Sequence, residues 1–419
     1  MLLFRRTVRQ RGFWIDTYFL YIAVITSALG VIMIRKDRAW TISDWLINYQ
    51  GGYVRRGLAG EIFYLFSRLL HISPIAFVLM AYFAAYAVLL LMFRRLVQQS
   101  TRELWVIAIL LSPATLAFPI LDMSSGFRKE IVFLALLSAF LASRWRNSSS
   151  TWLVAVYLTC AIPMLVLVHE PLICFAPYFF AGLLLAGNSM RQAIRLYIVP
   201  YGLGLVAAFF SAKHIGGHET AVKICASLGY PLDMNGKDQV CSGGAIAYLA
   251  YTREFGRQQV EQFMQKTPWL TEYSDTAILS LAPACIGSLR LARAGFARQT
   301  KIVWATAAVS FACSLILFAL GVDWGRWIYV HVFSIAMLLL FLDKQRHDSA
   351  AILAHTPAAS HRWRWVVAGA GLAAYATLWT LPHTLPWTGP NPLSHGYISL
   401  FEVLHRQFLA KNSTLRRSL

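Results

Sequence analysis

Charge is scarce in this sequence. Only 14% of the residues are Asp, Glu, Lys or Arg, where soluble domains carry roughly a quarter. A chain of 419 residues with so little charge does not cover a water-facing surface in the usual way. The short signatures of several chemistries are also missing: H-E-x-x-H, a C-x-x-C pair, a Walker loop, G-x-S-x-G and D-x-D. Their absence argues against a zincin, a redox dithiol, a P-loop enzyme and an elbow-type serine hydrolase. Short strictly alternating segments are absent too, which excludes a transmembrane β-barrel.

What the chain does have is apolar length. Hydrophobic residues make up 58% of it, in runs near 14–34, 74–93, 104–121, 131–143, 151–168, 172–187, 196–212, 276–289, 302–320, 328–342 and 365–381. Each is close to the ~20 residues that cross a hydrocarbon layer. The expected fold is all-α: a polytopic transmembrane helix bundle of about eleven spans, forming a single integral membrane domain over 1–419. The start "MLLFRRTVRQR" before the first run, and "MIRKDRAW" after it, suit a signal anchor rather than a cleaved signal. With the N-terminus in the cytoplasm, half of the basic residues fall in short cytoplasmic segments that hold only Glu103, Asp343 and Asp348 as acids. That asymmetry is what orients a membrane protein. It accounts for the +19 net charge without nucleic acid, and it makes the bilayer the partner.

The segment "LAGEIFYLFSRLLH" (58–71) is too short for a normal span. Glu61, Tyr64, Arg68 and His71 recur near one face, so it reads as an interfacial or re-entrant helix. The largest external segment, 213–275, is expected to contain a helix from Ala245 to Gln265. It also holds Cys225 and Cys241, the two of six cysteines that lie outside the spans. In an oxidising compartment they would form a disulfide worth about 3 kcal/mol; two free thiols are the alternative. Cys160, Cys174, Cys285 and Cys313 read as small packing residues.

On this topology the polar motifs share the external face. "DWLINYQGGYVRRG" supplies Asp44, Arg55 and Arg56; "LDMSSGFRKE" supplies Asp122, Arg128, Lys129 and Glu130; "VLVHEP" supplies His169 and Glu170; "LGVDWGRW" supplies Asp323 and Arg326. Each also has an ordinary explanation. Lys129 and Arg68 would snorkel to headgroups, Asp323 and Arg326 would form a local i,i+3 ion pair, His169 would hydrogen-bond at the interface, and the glycines would serve a tight turn. Snorkelling explains Arg55 and Arg56 less well, because a planar fork beside bare glycine amides suits an anion with several oxygens. A carboxylate between spans, as at Glu170, is expensive unless paired or functional. At that depth the natural anion is a lipid-linked phosphate or diphosphate. Cations would hold the leaving phosphate, and a carboxylate or histidine would take the proton of a sugar hydroxyl. Arginines in that role remove the need for a metal, so no cofactor is expected.

These motifs resemble the Wzy-type polymerases of O-antigen and exopolysaccharide synthesis, a GT-C-like group. The similarity rests on "GGYVRRGLAGE", "GFRKE", "VHEP" and "DWGRW", with about eleven spans and one large periplasmic loop. The resemblance implies a transferase joining oligosaccharides carried on undecaprenyl diphosphate at the periplasmic face of a bacterial inner membrane. It also implies a chain-length regulator and a flippase as partners. Arg55, Arg56, Arg128, Lys129 and Arg326 would then hold donor phosphate, and Glu170, His169, Asp44 and Asp323 are the candidate catalytic groups. An R-x10-G loop motif of some O-antigen polymerases is missing. "HETAVKICASLG" (218–229) echoes a ligase loop motif, with Glu219 in its neutral polar position. Three alternatives remain open: an O-antigen ligase, a GT-C enzyme using a polyprenyl-monophosphate sugar with Asp44 as the acid of its first external loop, and a lipid or solute transporter.

Overall fold

The computed structural model describes residues 2–36, 38–98, 100, 103–143, 151–235, 239–350 and 362–385. The segment beyond 385, expected outside, and the expected cytoplasmic turn at 144–150 lie outside the described residues. Among the described residues there is no strand, only an isolated bridge between Asp233 and Ser242. In chain order the helices are α1 (Leu2–Lys36), α2 (Ser43–Leu46), α3 (Gly57–Leu70), α4 (Pro74–Gln98), α5 (Leu104–Leu111), α6 (Phe118–Leu121), α7 (Met123–Gly126), α8 (Glu130–Ala142) and α9 (Thr151–Val168). They continue with α10 (Pro177–Leu185), α11 (Met190–Lys213), α12 (His218–Ser227), α13 (Arg253–Lys266), α14 (Trp269–Leu291), α15 (Ala297–Leu320), α16 (Trp324–Ala350) and α17 (Arg362–Thr377).

Six stretches of the described residues are long and apolar enough to cross a membrane: Phe13–Ile34, Pro74–Gln98, Thr151–Val168, Met190–Lys213, Trp269–Leu320 and Trp324–Arg346. Trp269–Leu320 is too long for one crossing and breaks at Gly295, whose φ of 93° is non-helical, into α14 and α15. Shorter apolar helices, Glu130–Ala142, Glu170–Leu185 and Val367–Thr377, fill the other expected positions. The protein is an all-α polytopic membrane protein.

Burial separates the helices by role. The apolar window of α16 is wholly buried, whereas that of α11 is 22% buried. A helix apolar all round belongs at the centre of a bundle, and α16 packs there against α4, α8, α10, α14 and α15. On α11, Ile198, Val199, Val206 and Phe209 remain exposed, as lipid-facing residues should be.

The expected span 104–121 is instead broken. After α5 the chain turns through Ser112–Ala117 before α6 and α7. Pro113 has no N–H to continue the helical ladder. The freed carbonyls find other donors: Thr115 Oγ1 donates to Ile109 O at 2.6 Å and to Ser112 O at 3.1 Å, while Ser112 Oγ accepts from Ala114 N at 3.2 Å. Broken helices survive at membrane depth only when buried in protein, and Ser112–Ala117 is buried throughout.

Two further expectations shift. The helix expected from Ala245 to Gln265 begins only at Arg253, where Thr252 Oγ1 accepts from Phe255 N at 3.2 Å as an N-cap. Residues 245–250 are held elsewhere, with Ala245 N donating to Ala39 O and Ile246 N to Ser43 Oγ. The segment expected at 58–71 forms α3, with Ile62, Leu65, Phe66, Leu69 and Leu70 exposed at helical spacing. That exposed stripe flanked by Glu61 and Arg68 is the pattern of a helix lying in the interface. Cys225 and Cys241 are joined as a disulfide.

The bundle has two chemically distinct ends. At one, Arg94 pairs with Asp16 at 2.8 Å, Arg346 with Glu103 at 3.1 Å, and Ser100 donates to the buried Asp343. These contacts clasp α1, α4, the start of α5 and the end of α16. The other end gathers the C-terminus of α9 and the N-termini of α3, α8 and α16, and it holds the candidate site.

Candidate functional site

Arg56 sits at the centre, immediately before α3, with a left-handed φ of 66°. Such a backbone costs about 1–3 kcal/mol in a residue with a side chain, so the surroundings must hold it. They do so at both ends of the residue. The guanidinium Nε donates to Glu170 Oε2 at 3.0 Å and Oε1 at 3.2 Å, and Nη2 donates to Oε1 at 3.1 Å. Nη1 lies 3.7 Å from Asp44 Oδ1. The Arg56 carbonyl accepts from Lys129 Nζ at 2.9 Å, and Lys129 is fully buried.

A second set of ion pairs adjoins the first. Arg326, in the first turn of α16, reaches Asp323 Oδ2 at 2.6 Å and Glu130 Oε1 at 3.2 Å. Glu130, the first residue of α8, is 3.4 Å from His169 Nε2. His169 follows the end of α9 and caps a 3-10 turn, Glu170–Phe175, with Pro171 near its start. Its ring lies nearly parallel to Trp327, 6.0 Å away, and the Arg326 guanidinium lies over the same indole at 5.1 Å. Every site residue expected from sequence therefore falls at this end. The i,i+3 pair of Asp323 and Arg326 exists, but as part of a network rather than alone.

The cations differ in what they have left to offer. Arg56 and Arg326 are engaged by carboxylates, and Lys129 is spent on a carbonyl. Arg55, with 28% of its side chain exposed, is held by Glu170 through a single long contact, Nη1 to Oε1 at 3.5 Å. Arg128 donates Nη1 to the Trp40 carbonyl at 3.1 Å and lies over that ring at 5.8 Å; among the described residues no carboxylate pairs with it. A cavity of about 10 Å³ beside it is lined by Tyr86, Ser125, Arg128, Glu130 and Arg326, room for about one water.

Burial alone would neutralise these groups, and the neighbouring charges decide otherwise. Burial opposes ionisation of Asp44, but Lys129 and Arg56 outweigh it and hold its carboxyl well below the usual range. Asp323 is lowered as well: Arg326 and Arg128 overcome its desolvation. For Lys129 burial wins, and its ammonium is pushed down to about 8 despite Asp44. His169 is lowered by burial and by Arg56, against the pull of Glu130.

The glycines serve close packing as well as the tight turn expected of them. A Cβ at Gly60 would collide with the Ile47 carbonyl, and one at Gly57 with the Tyr49 ring. They let α3 pack against the loop that presents the arginines, and Gly52 N closes a turn onto Tyr49 O. Several participants were not singled out from sequence as site residues. Glu130 links His169 to Arg326, and its signal lay in the R-K-E run. His383 holds Asp122 at 2.6 Å, where burial of that carboxyl is outweighed by His383. His383 lies in "LPHTLP", and nothing in that stretch marks it as a partner of residue 122.

No curated protein matches the chain, and no solved structure does. One family model, described as "Uncharacterised membrane protein Rv1490", matches residues 13–254. The match takes in Asp44, Arg55, Arg56, Arg128, Lys129, Glu130, His169 and Glu170, and it stops before Asp323 and Arg326. Because it covers more than half of the chain, the protein belongs to the Rv1490 family of membrane proteins.

Proposed function

We propose that the protein is a membrane glycosyltransferase of the polysaccharide-polymerase type. It would move a glycan from a polyprenyl-diphosphate carrier to a sugar hydroxyl of a lipid-linked acceptor, at the periplasmic face of a bacterial inner membrane. The observation that carries this reading is a buried network of acids and bases at one membrane end, rimmed by two cations, Arg55 and Arg128, with donors to spare. Arginine forks are suited to phosphate oxygens. Beside Arg55 an open groove of about 370 Å³, lined by Tyr53, Leu167, Ala207, Phe210 and His214, offers an apolar path for a prenyl tail. In the reaction the acceptor oxygen bonds to the donor's anomeric carbon, the bond from that carbon to phosphate oxygen breaks, and the diphosphate leaves onto Arg55 and Arg128. His169 takes the hydroxyl proton, and the resulting imidazolium is stabilised by Glu130. Asp44 and Glu170 hold Arg56 in place.

A polyprenyl-monophosphate sugar is the second reading. It is favoured by the small number of open cations, since Arg56 and Arg326 already face carboxylates, and by Asp44 in the first external loop. Purified protein in nanodiscs, supplied separately with each donor, tests both. Lengthened lipid-linked glycan with release of polyprenyl diphosphate supports the first. Single-sugar addition with release of the monophosphate supports the second. Turnover of neither donor overturns the assignment.

A further inference from the structure

An aromatic cluster stands on the water side of the charged network. Trp40 is 40% exposed, and its ring lies 5.7 Å from Tyr248. Tyr248 in turn meets Tyr251 at 5.6 Å and Phe255 at 6.1 Å, and Tyr251 stacks on Phe255 at 4.3 Å with 14° between planes. The cluster is built into the fold. The strap that carries Tyr248 follows the Cys225–Cys241 disulfide and is bound to Ala39 and Ser43. It approaches so closely that a Cβ on Gly244 would collide with the Ala39 carbonyl. Arg128 connects the cluster to the site: it bonds the Trp40 carbonyl at 3.1 Å and lies over its ring at 5.8 Å.

Rings at this depth often anchor a protein in the headgroup layer. Here, however, Tyr251 and Phe255 flank the start of α13, whose exposed surface carries Arg257 paired with Glu254 and Glu261. That surface is built for water. A ligand meeting it must offer an apolar face to the rings and hydroxyls to the arginine and carboxylates alongside. A pyranose does both: its axial C–H bonds pack on the electron-rich face of an aromatic ring, and its hydroxyls hydrogen-bond at the edge.

We propose that Trp40, Tyr248, Tyr251 and Phe255 form a saccharide-binding platform that holds sugar rings beside Arg128. The origin of the sugar, the glycan of a lipid-linked substrate, rests on the glycan-transfer reading above; the binding of sugar does not require it. The test uses free oligosaccharide released by mild acid from the host's lipid-linked glycans, with no lipid or phosphate attached. Saturation-transfer NMR on the full chain in nanodiscs should show transfer to the ring C–H protons of the sugar. Trp40→Ala and Tyr251→Ala should each weaken binding by about three- to tenfold, with thermal unfolding unchanged, and Trp40→Phe should retain most of the affinity. Sugar binding without lipid-linked transfer would sink the enzymatic reading and leave the platform standing. Transfer that proceeds unaltered in both alanine variants would do the reverse. Absence of saturation transfer in the wild type overturns the platform. So does a Trp40→Ala variant that loses membrane insertion while Tyr251→Ala binds sugar normally, an outcome that would make the rings an interfacial anchor.

Discussion

Arg56 occupies a backbone conformation that glycine adopts more cheaply, yet its side chain spans two carboxylates and its carbonyl is held by a buried lysine. Lysine in its place could not reproduce the fork on Glu170. Arg56→Lys is expected to lower both activity and stability, the latter by about 1–3 kcal/mol as a buried charge loses hydrogen bonds. Arg128→Ala should behave differently, because Arg128 pairs with no carboxylate among the described residues. If the proposed transfer reaction holds, the rate of glycan transfer should fall about tenfold, ~1.4 kcal/mol of barrier, at an unchanged melting temperature. Equal loss of stability in both variants would return Arg128 to a structural role. Lys129 supplies a pH test. Its folded value of about 8 lies below its ordinary 10.5, so between those values the unfolded chain binds more protons and the linked stability rises with pH. Activity should nevertheless decline above about pH 8, as the charge beside Asp44 is lost. Lys129→Arg should move that alkaline limb upward, and a limb common to both proteins would assign it to another group.

At the scale of elements, apolar length was legible and continuity was not. The run 104–121 is apolar enough to be taken for a span, and Pro113 alone does not foretell a break, since prolines kink many membrane helices without ending them. Pro163, Pro200 and Pro283 do lie inside α9, α11 and α14. What separates Pro113 is the hydroxyl set around it, Ser112 and Thr115, which satisfies the freed backbone once the segment is buried. Thr115→Val should therefore leave the Ile109 carbonyl with only the longer bond from Ser112 N at 3.3 Å and cost about 0.5–1.5 kcal/mol, read as a lower melting temperature in detergent. No change would mean that the broken segment finds another donor. The start of α13 was misplaced for a related reason. Residues 245–250 have a composition that suits a helix, but their backbone is engaged by Ala39 and Ser43 from more than 200 residues away.

For the whole molecule the question is sidedness. The site end and the clasp end are distinct in the structure, and alternation along the chain puts Glu219 at the former and Ala294 at the latter. With the N-terminus in the cytoplasm, a cysteine at Glu219 should react with a membrane-impermeant reagent in intact spheroplasts, and one at Ala294 only after lysis. The reverse pattern would place the cluster in the cytoplasm and remove the periplasmic reading.

By itself the sequence determined the environment and the inventory. Low charge and recurrent apolar runs dictate a helical membrane protein, because backbone groups in lipid must be satisfied within each segment. The motif pairs Arg55–Arg56, Arg128–Lys129 and His169–Glu170 stood out because charge between spans is costly. The pairing of the Cys225 and Cys241 thiols was also legible from their position outside the spans. Which charges face which, and hence which remain open, was decided only by tertiary structure. The partners of Arg56 lie 12 residues upstream and 114 downstream, and the energy of a buried charge depends on whatever is brought within a few ångströms of it. Spacing along the chain sets no such distance across a bundle. The sequence named the arginines, and packing set Arg56 and Arg326 tightly on carboxylates, left Arg55 with one long contact to Glu170, and left Arg128 on a carbonyl.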